Sequence, residues 1–391
     1  MVSIVNRKQS IQYKKQREPL KWIARITVLA FLIIILILIP SGELFGFDPD
    51  YPDFMWTYNN EVRKITGGTQ KAVYLTGSSM ASDQKRQDIY RLIEETELNA
   101  IVFNAKEDSG YINYNTSVEF FSEIGSVVPL YDIDQVLAEM DERGIYSIAR
   151  VVLFKDGILT KARPDLAIQN INNGSPAYLD GGYWADIYNQ EIWKYYTELV
   201  MELAKKGVDE IQFDYIRGPS RGNLYLAHYP SNTDDMETIW AITGFLETVR
   251  HAARNYQVKI SADVYGFVLI AENDQGIGQL IEELAPYLDY LYPMPYPSHY
   301  SSGFLGYSLP EAHPYEVVKY TLDKGLARIG NTDCQIIPWI QAFGLKMTYT
   351  EREILLQIKA AEDLGINGFL FWNAGNKYSV VERALKSRLQ E

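Results

Sequence analysis

From Lys71 onward the chain alternates strand-like and helix-like segments eight times, and this repeat limits the fold more than any other feature. The strand candidates are 72–76, 100–105, 147–153, 210–215, 259–264, 287–293, 335–341 and 368–372. Helix candidates fall between and after them, at 82–97, 133–143, 190–206, 234–255, 277–284, 314–326, 350–364 and 378–389. Several of these end in the glycine expected just past a helix C-terminus, as in Arg143-Gly144, Lys206-Gly207 and Leu364-Gly365. Eight strand–helix pairs in about 320 residues match an α/β fold of the (β/α)8 TIM-barrel type. An open doubly wound sheet is the second choice, because no glycine-rich phosphate loop follows the first strand.

The N-terminal part reads differently. Residues 1–25 hold seven Lys and Arg against the single Glu18, a net +6, which leaves −19 for the rest of the 391-residue chain. The run from Trp22 to Pro40 is apolar apart from Arg25 and Thr27 and has close to the length a membrane-spanning helix needs. No small-residue cleavage site follows at Pro40-Ser-Gly-Glu-Leu44, which favours an uncleaved anchor over a signal peptide. Basic residues ahead of the helix place a tail at 1–21 in the cytoplasm, the anchor at 22–40, and the body outside the cell membrane. A connector at 41–70 then leads to a barrel at 71–391.

Composition removes some chemistries. The single Cys334 excludes a disulfide framework and a thiolate metal cluster. His228, His251, His299 and His313 lie too far apart in sequence for a zinc-ligand motif, so a metal-dependent deacetylase or nuclease fits poorly and no metal or other cofactor is expected. The acidic body argues against nucleic acid as a partner. Aromatic residues make up 13%, with 29 Tyr, and such rings suit sugar binding as well as core packing.

In a parallel barrel the chemistry belongs at the C-terminal strand ends. The fourth strand, Asp209-Glu-Ile-Gln-Phe-Asp-Tyr-Ile-Arg217, places Ile211, Phe213 and Tyr215 on one face and Gln212 and Asp214 on the other. In the fifth, Ser261, Asp263 and Tyr265 oppose Ile260, Ala262 and Val264. A carboxylate buried in a strand needs a partner or a purpose. Two on adjacent strands meet the requirement of glycoside hydrolysis, one to protonate the leaving oxygen and one to attack or to activate water. Around them the rim candidates for substrate contact are Glu107, Asp108, Arg150, Arg217, Tyr292, Tyr296, His299, Trp339, Gln341, Trp372 and Asn373. Arg150 and Arg217 could keep one carboxylate ionised while burial protonates the other. The alternative is that the carboxylates and arginines form structural ion pairs and the aromatics are core.

Phe213-Asp-Tyr-Ile-Arg217, Ser261-Ala-Asp-Val-Tyr-Gly266, Pro293-Met-Pro-Tyr-Pro-Ser-His-Tyr300, Pro338-Trp-Ile-Gln-Ala-Phe343 and Gly368-Phe-Leu-Phe-Trp-Asn-Ala374 occur in that order. Together they resemble a bacterial family assigned by inference to the glycoside hydrolases and long described only as a domain of unknown function. The resemblance spans about Lys71 to Leu389 and implies a TIM barrel distantly similar to the alpha-amylase-like enzymes. It implies Asp214 as nucleophile and Asp263 as general acid. The strand-five acid of those enzymes is usually Glu, so Glu107 and Asp108 stand as alternative donors.

The leading expectation is therefore a membrane-anchored, extracytoplasmic glycosidase acting on cell-wall or exopolysaccharide glycans. A non-catalytic glycan-binding barrel is the alternative. Hydrolysis requires both carboxylates, whereas binding does not.

Overall fold

A computed structural model describes residues 69–330 and 332–389, which belong to one compact unit, Thr66–Glu391. The basic tail, the anchor and all but the last two residues of the connector lie outside the described residues. Among the described residues no helix is long and apolar enough to cross a membrane.

Each of the eight strand expectations is met. β1 is Lys71–Leu75, β2 Ala100–Lys106, β3 Tyr146–Val152, β4 Glu210–Asp214, β5 Lys259–Tyr265 and β6 Tyr290–Met294. β7 comes in two pieces, Gln335–Ile336 and Trp339–Gln341, and β8 is Phe369–Trp372. A helix follows each: α1 Asp83–Glu94, α2 Ile133–Glu142, α3 Gln190–Lys205, α4 Thr238–Ala253, α5 Ile281–Leu284, α6 Pro314–Ile329, α7 Glu351–Glu362 and α8 Ser379–Arg388.

All strand pairs of this sheet are parallel and follow chain order from β1 to β6. The sheet then curls back on itself. The first piece of β7 pairs with β6, its second piece pairs with β8, and β8 pairs with β1. The switch falls at Ile337-Pro338, where Ile337 N donates to Leu291 O at 3.0 Å and Leu370 N donates to Pro338 O at 3.0 Å. Pro338 has no N–H to give, so it suits a point where one partner strand is exchanged for another. The result is an α/β fold with a curled parallel sheet, consistent with a TIM barrel.

Local chemistry accounts for the boundaries. The Asp132 carboxylate caps α2 by accepting from Asp134 N and Gln135 N, and Asn189 caps α3 in the same way. Thr350 and Glu353 form a reciprocal capping box at α7. Gly144 and Gly207 take φ of 68° and 86° just past α2 and α3, a conformation that favours glycine. The fifth helix is shorter than the sequence pattern suggests. Gly276 and Gly278, at φ of 68° and 79°, break the run before Ile281.

Strand alternation sorts the apolar residues into two layers. Val73, Ile101, Phe103, Ala149, Ile211, Phe213, Ile260, Ala262, Leu291 and Phe371 pack against the surrounding helices. Ala72, Tyr74, Val102, Ile148, Tyr292, Trp339 and Leu370 form a smaller cluster enclosed by the sheet. The inward positions of β4 and β5 are polar instead, and Glu210, Gln212 and Ser261 have no exposed surface.

Candidate active site

Asp214 ends β4 on its inward face, and Asp263 lies one strand away on β5. Gln212 stands opposite Ser261, and Asp263 is level with Tyr292 of β6. The residue that follows β4 departs from the expected alternation. Tyr215 adopts a φ of 51°, left-handed for a non-glycine residue, at a cost of order 1–3 kcal/mol. That turn brings Tyr215 N to 2.6 Å from Asp214 Oδ1, giving the carboxylate a backbone donor.

Asp214 is held on its other oxygen by Arg150 of β3. The guanidinium Nε donates to Asp214 Oδ2 at 3.0 Å and Nη2 donates to the same oxygen. Its Nη1 donates to Asn104 Oδ1 at 2.8 Å, and Asn104 Nδ2 donates in turn to the Tyr74 hydroxyl at 3.0 Å. Tyr74 stacks on Trp372 with ring centroids 4.2 Å apart, and the Arg150 guanidinium lies within 5.7 Å of both ring centres. An arginine fixed on every side orients its carboxylate partner.

Asp263 has a different environment. It is 2% exposed, and its Oδ1 accepts from Trp339 Nε1 at 2.6 Å. Burial, followed by the negative charge of Asp214, pushes its carboxyl well above the usual range; the Trp339 bond and Arg150 oppose the shift without overcoming it. Burial and the neighbouring charge thus favour the protonated form of Asp263, one strand away from an arginine-bound Asp214.

The remaining rim candidates separate by accessibility. Trp372 and Asn373 are partly exposed, and Asp108 and His299 are exposed. Asp108 reaches Lys155 Nζ at 3.4 Å, and Glu107 accepts from the Ser109 hydroxyl at 2.9 Å. Tyr296 is buried beside His299, ring centroids 5.3 Å apart. Tyr292 and Gln341 are wholly buried: Gln341 accepts from Ser298 N at 3.1 Å and donates to Phe343 O at 2.9 Å, which ties the β6 and β7 loops together. Arg217 is also buried, paired with Asp180 at 3.0 Å and stacked among Trp184, Tyr215 and Tyr265. Lys106, the last residue of β2, is fully enclosed and bonded to Asp156 at 2.8 Å and to Val152 O at 2.9 Å.

Sequence reasoning passed over Tyr74, Asn104 and Asp180. Tyr74 and Asn104 sit at inward positions that the alternation of β1 and β2 already defined. Asp180 begins the Asp180-Gly181 turn of a small hairpin, Tyr178–Leu179 with Gly182–Tyr183, a turn signal visible in the sequence.

The curled parallel sheet thus carries two carboxyl groups, Asp214 and Asp263, on adjacent parallel strands. The chain belongs to the family described as "Putative glycosyl hydrolase domain", whose model matches residues 72–378. Among solved structures it is similar to the PgaB (BpsB) glycoside hydrolase domain from Bordetella bronchiseptica, at 14% identity over 82% of this chain and 98% of that one, TM-score 0.59. It is also similar to TtGalA, an alpha-galactosidase from Thermus thermophilus, at 15% identity over 82% of this chain and 65% of that one, TM-score 0.50. A hypothetical protein from Ruminiclostridium thermocellum ATCC 27405 shares 36% identity over 49% of this chain and 97% of its own, TM-score 0.45. No curated protein matches.

Proposed function

We propose that this chain is a membrane-anchored, extracytoplasmic glycoside hydrolase acting on cell-wall or exopolysaccharide glycans through Asp263 and Asp214. The observation that carries the reading is the split between the two carboxyl groups. Asp263 is buried with its carboxyl pushed well above the usual range, while Asp214 is bound by Arg150. Asp263 donates its proton to the glycosidic oxygen as the bond to the anomeric carbon breaks. Asp214 attacks that carbon or takes a proton from the water that does, and water completes the hydrolysis. Trp372, partly exposed beside Arg150 and backed by Tyr74, offers a stacking face for a sugar ring. The full closure of the sheet into a (β/α)8 barrel is part of this reading, supported by the β7 exchange of partners.

The test is to incubate the protein with purified peptidoglycan strands, exopolysaccharides and aryl glycosides and to assay new reducing ends. Asp214→Asn should abolish turnover by several orders of magnitude. Asp263→Asn should spare aryl glycosides, whose leaving groups need little protonation. Wild-type turnover in both variants would refute the assignment. Proton NMR of the first product anomer separates retention, which needs carboxyl groups about 5–5.5 Å apart, from inversion at roughly 6.5–9.5 Å.

The near-complete burial of Asp263 favours a second reading, a glycan-binding barrel without turnover. Glycan binding that survives in both variants, with no cleavage by the parent protein, would select it. The anchor is tested by protease treatment of spheroplasts, which should digest the body; a soluble mature form lacking residues 1–41 would show a cleaved signal instead.

A further inference from the structure

Large exposed aromatic rings are unevenly distributed over this protein. Among the described residues there are five: Tyr178, Tyr183, Tyr225, Trp240 and Phe267. All lie on the segments that leave the C-terminal ends of β3, β4 and β5, the strands that carry Arg150, Asp214 and Asp263. Tyr178 and Tyr183 face each other across the small hairpin, ring centroids 5.3 Å apart at 79°. Tyr225 is 78% exposed on the loop after β4, Trp240 opens α4, and Phe267 follows β5 directly.

These rings are not on loose loops. The hairpin tip is fixed by Asp180, whose carboxylate accepts from Arg217 Nη1 at 3.0 Å, Ser220 N at 3.1 Å, the Ser220 hydroxyl at 2.8 Å and Arg221 Nε at 3.0 Å. Burial opposes ionisation there, but the Ser220 bonds and the Arg217 charge hold the Asp180 carboxyl down at about 2. Behind it, Trp184 Nε1 donates to Leu179 O at 2.8 Å. The Arg217 guanidinium is stacked against Tyr215 and Tyr265, and those two rings belong to the residues just past Asp214 and Asp263. The two hairpin rings are thus mounted on the same framework as the carboxylate pair.

Paired rings held in water on a rigid mount form a contiguous patch of the kind that marks a binding site. Flat rings with polar tips beside a glycan-cleaving centre match the C–H faces and hydroxyls of pyranose units. We propose that the Tyr178–Tyr183 hairpin, with Tyr225, Trp240 and Phe267, forms an outer binding track for the flanking units of a glycan polymer, so that the enzyme takes long chains at internal bonds. This rests on the glycosidase reading above and adds to it the class of substrate.

The experiment runs the full-length protein in mild detergent through native gels containing glycol chitin, galactomannan or solubilised peptidoglycan strands. The variants are Tyr178→Ala with Tyr183→Ala, Tyr225→Ala, and Leu345→Ala as a control on another loop; circular dichroism checks folding. At least one polymer should retard the parent and Leu345→Ala equally. The hairpin double variant should bind that polymer roughly tenfold more weakly, while affinity for its trisaccharide changes by less than about twofold. The track is refuted if no polymer retards the parent, if the ring variants bind polymer as the parent does, or if polymer and trisaccharide affinity fall together. It is also refuted if sedimentation shows a parent dimer that the ring variants dissociate, because the rings then cover a second copy. The readout needs no hydrolysis. A protein that binds polymer through the rings but cleaves nothing defeats the proposed reaction alone, and cleavage with unchanged polymer affinity in the ring variants defeats the track alone.

Discussion

Glu210 opens β4 beneath the carboxylate pair, and its replacement by glutamine gives a quantitative test of the interior electrostatics. The side chain has no exposed surface, Oε1 accepts from the Ser261 hydroxyl at 2.5 Å, and Oε2 is buried with no hydrogen-bond partner among the described residues. Burial pushes the carboxyl up from 4.5 to about 7, against the lowering pull of Ser261, Tyr292 and Tyr146. In the unfolded chain the group loses its proton near pH 4.5, while the folded protein keeps it to about pH 7. Stability from this group is therefore full below pH 4.5 and falls as pH rises towards 7. A difference of about 2.5 units corresponds to about 3 kcal/mol. Glu210→Gln has no proton to lose and escapes the fall. Urea unfolding of a fragment carrying residues 66–391, parent and variant, at pH 4.5 and pH 8 gives the double difference, from which other titrating groups cancel. The variant should gain about 3 kcal/mol on the parent between the two pH values. A double difference within about 1 kcal/mol of zero would mean that Glu210 is ionised or solvated in the folded state, and the argument fails.

Lys106→Met leaves Asp156 charged and enclosed, so the urea midpoint should drop by the equivalent of about 3–5 kcal/mol. Gly266→Ala places a methyl 2.6 Å from Pro295 Cα and 2.7 Å from Met294 O, both backbone atoms; the expected loss is about 1–3 kcal/mol, read by the same unfolding assay. Asp214→Asn removes the negative charge that adds to burial in raising the Asp263 carboxyl, so a carbon-13 NMR titration of Asp263 should show its midpoint moving to lower pH. An unmoved midpoint would leave burial as the whole cause.

Periodicity made the sheet legible because both of its faces are buried and each strand is short and bounded. The inward placement of Asp214 and Asp263 followed from the same alternation. Features that depend on distant pairing were not legible. Arg217 looks like a rim residue until Asp180, thirty-seven positions earlier, is brought beside it. Lys106 has the sequence context of a loop entrance, and only the fold reveals Asp156 and the Tyr196 ring as its enclosure. Tyr215 belongs to the apolar face by counting, but its left-handed turn ends the count one residue early.

The β1–β8 pairing has a consequence for synthesis. Lys71, Ala72 and Val73 find their partners at Phe369, Leu370 and Phe371, and Tyr74 O waits for the Tyr378 hydroxyl and Asn376 Nδ2. During translation β7 covers the edge of β6 first, and the outer edge of β1 stays open until Phe369 to Phe371 leave the ribosome. Unpaired edges of this kind recruit other chains, and contacts of such long sequence separation form slowly. A nascent chain that stalls before Phe369 carries a nearly complete sheet that cannot close, and it should depend on chaperone cover in proportion to the time spent there.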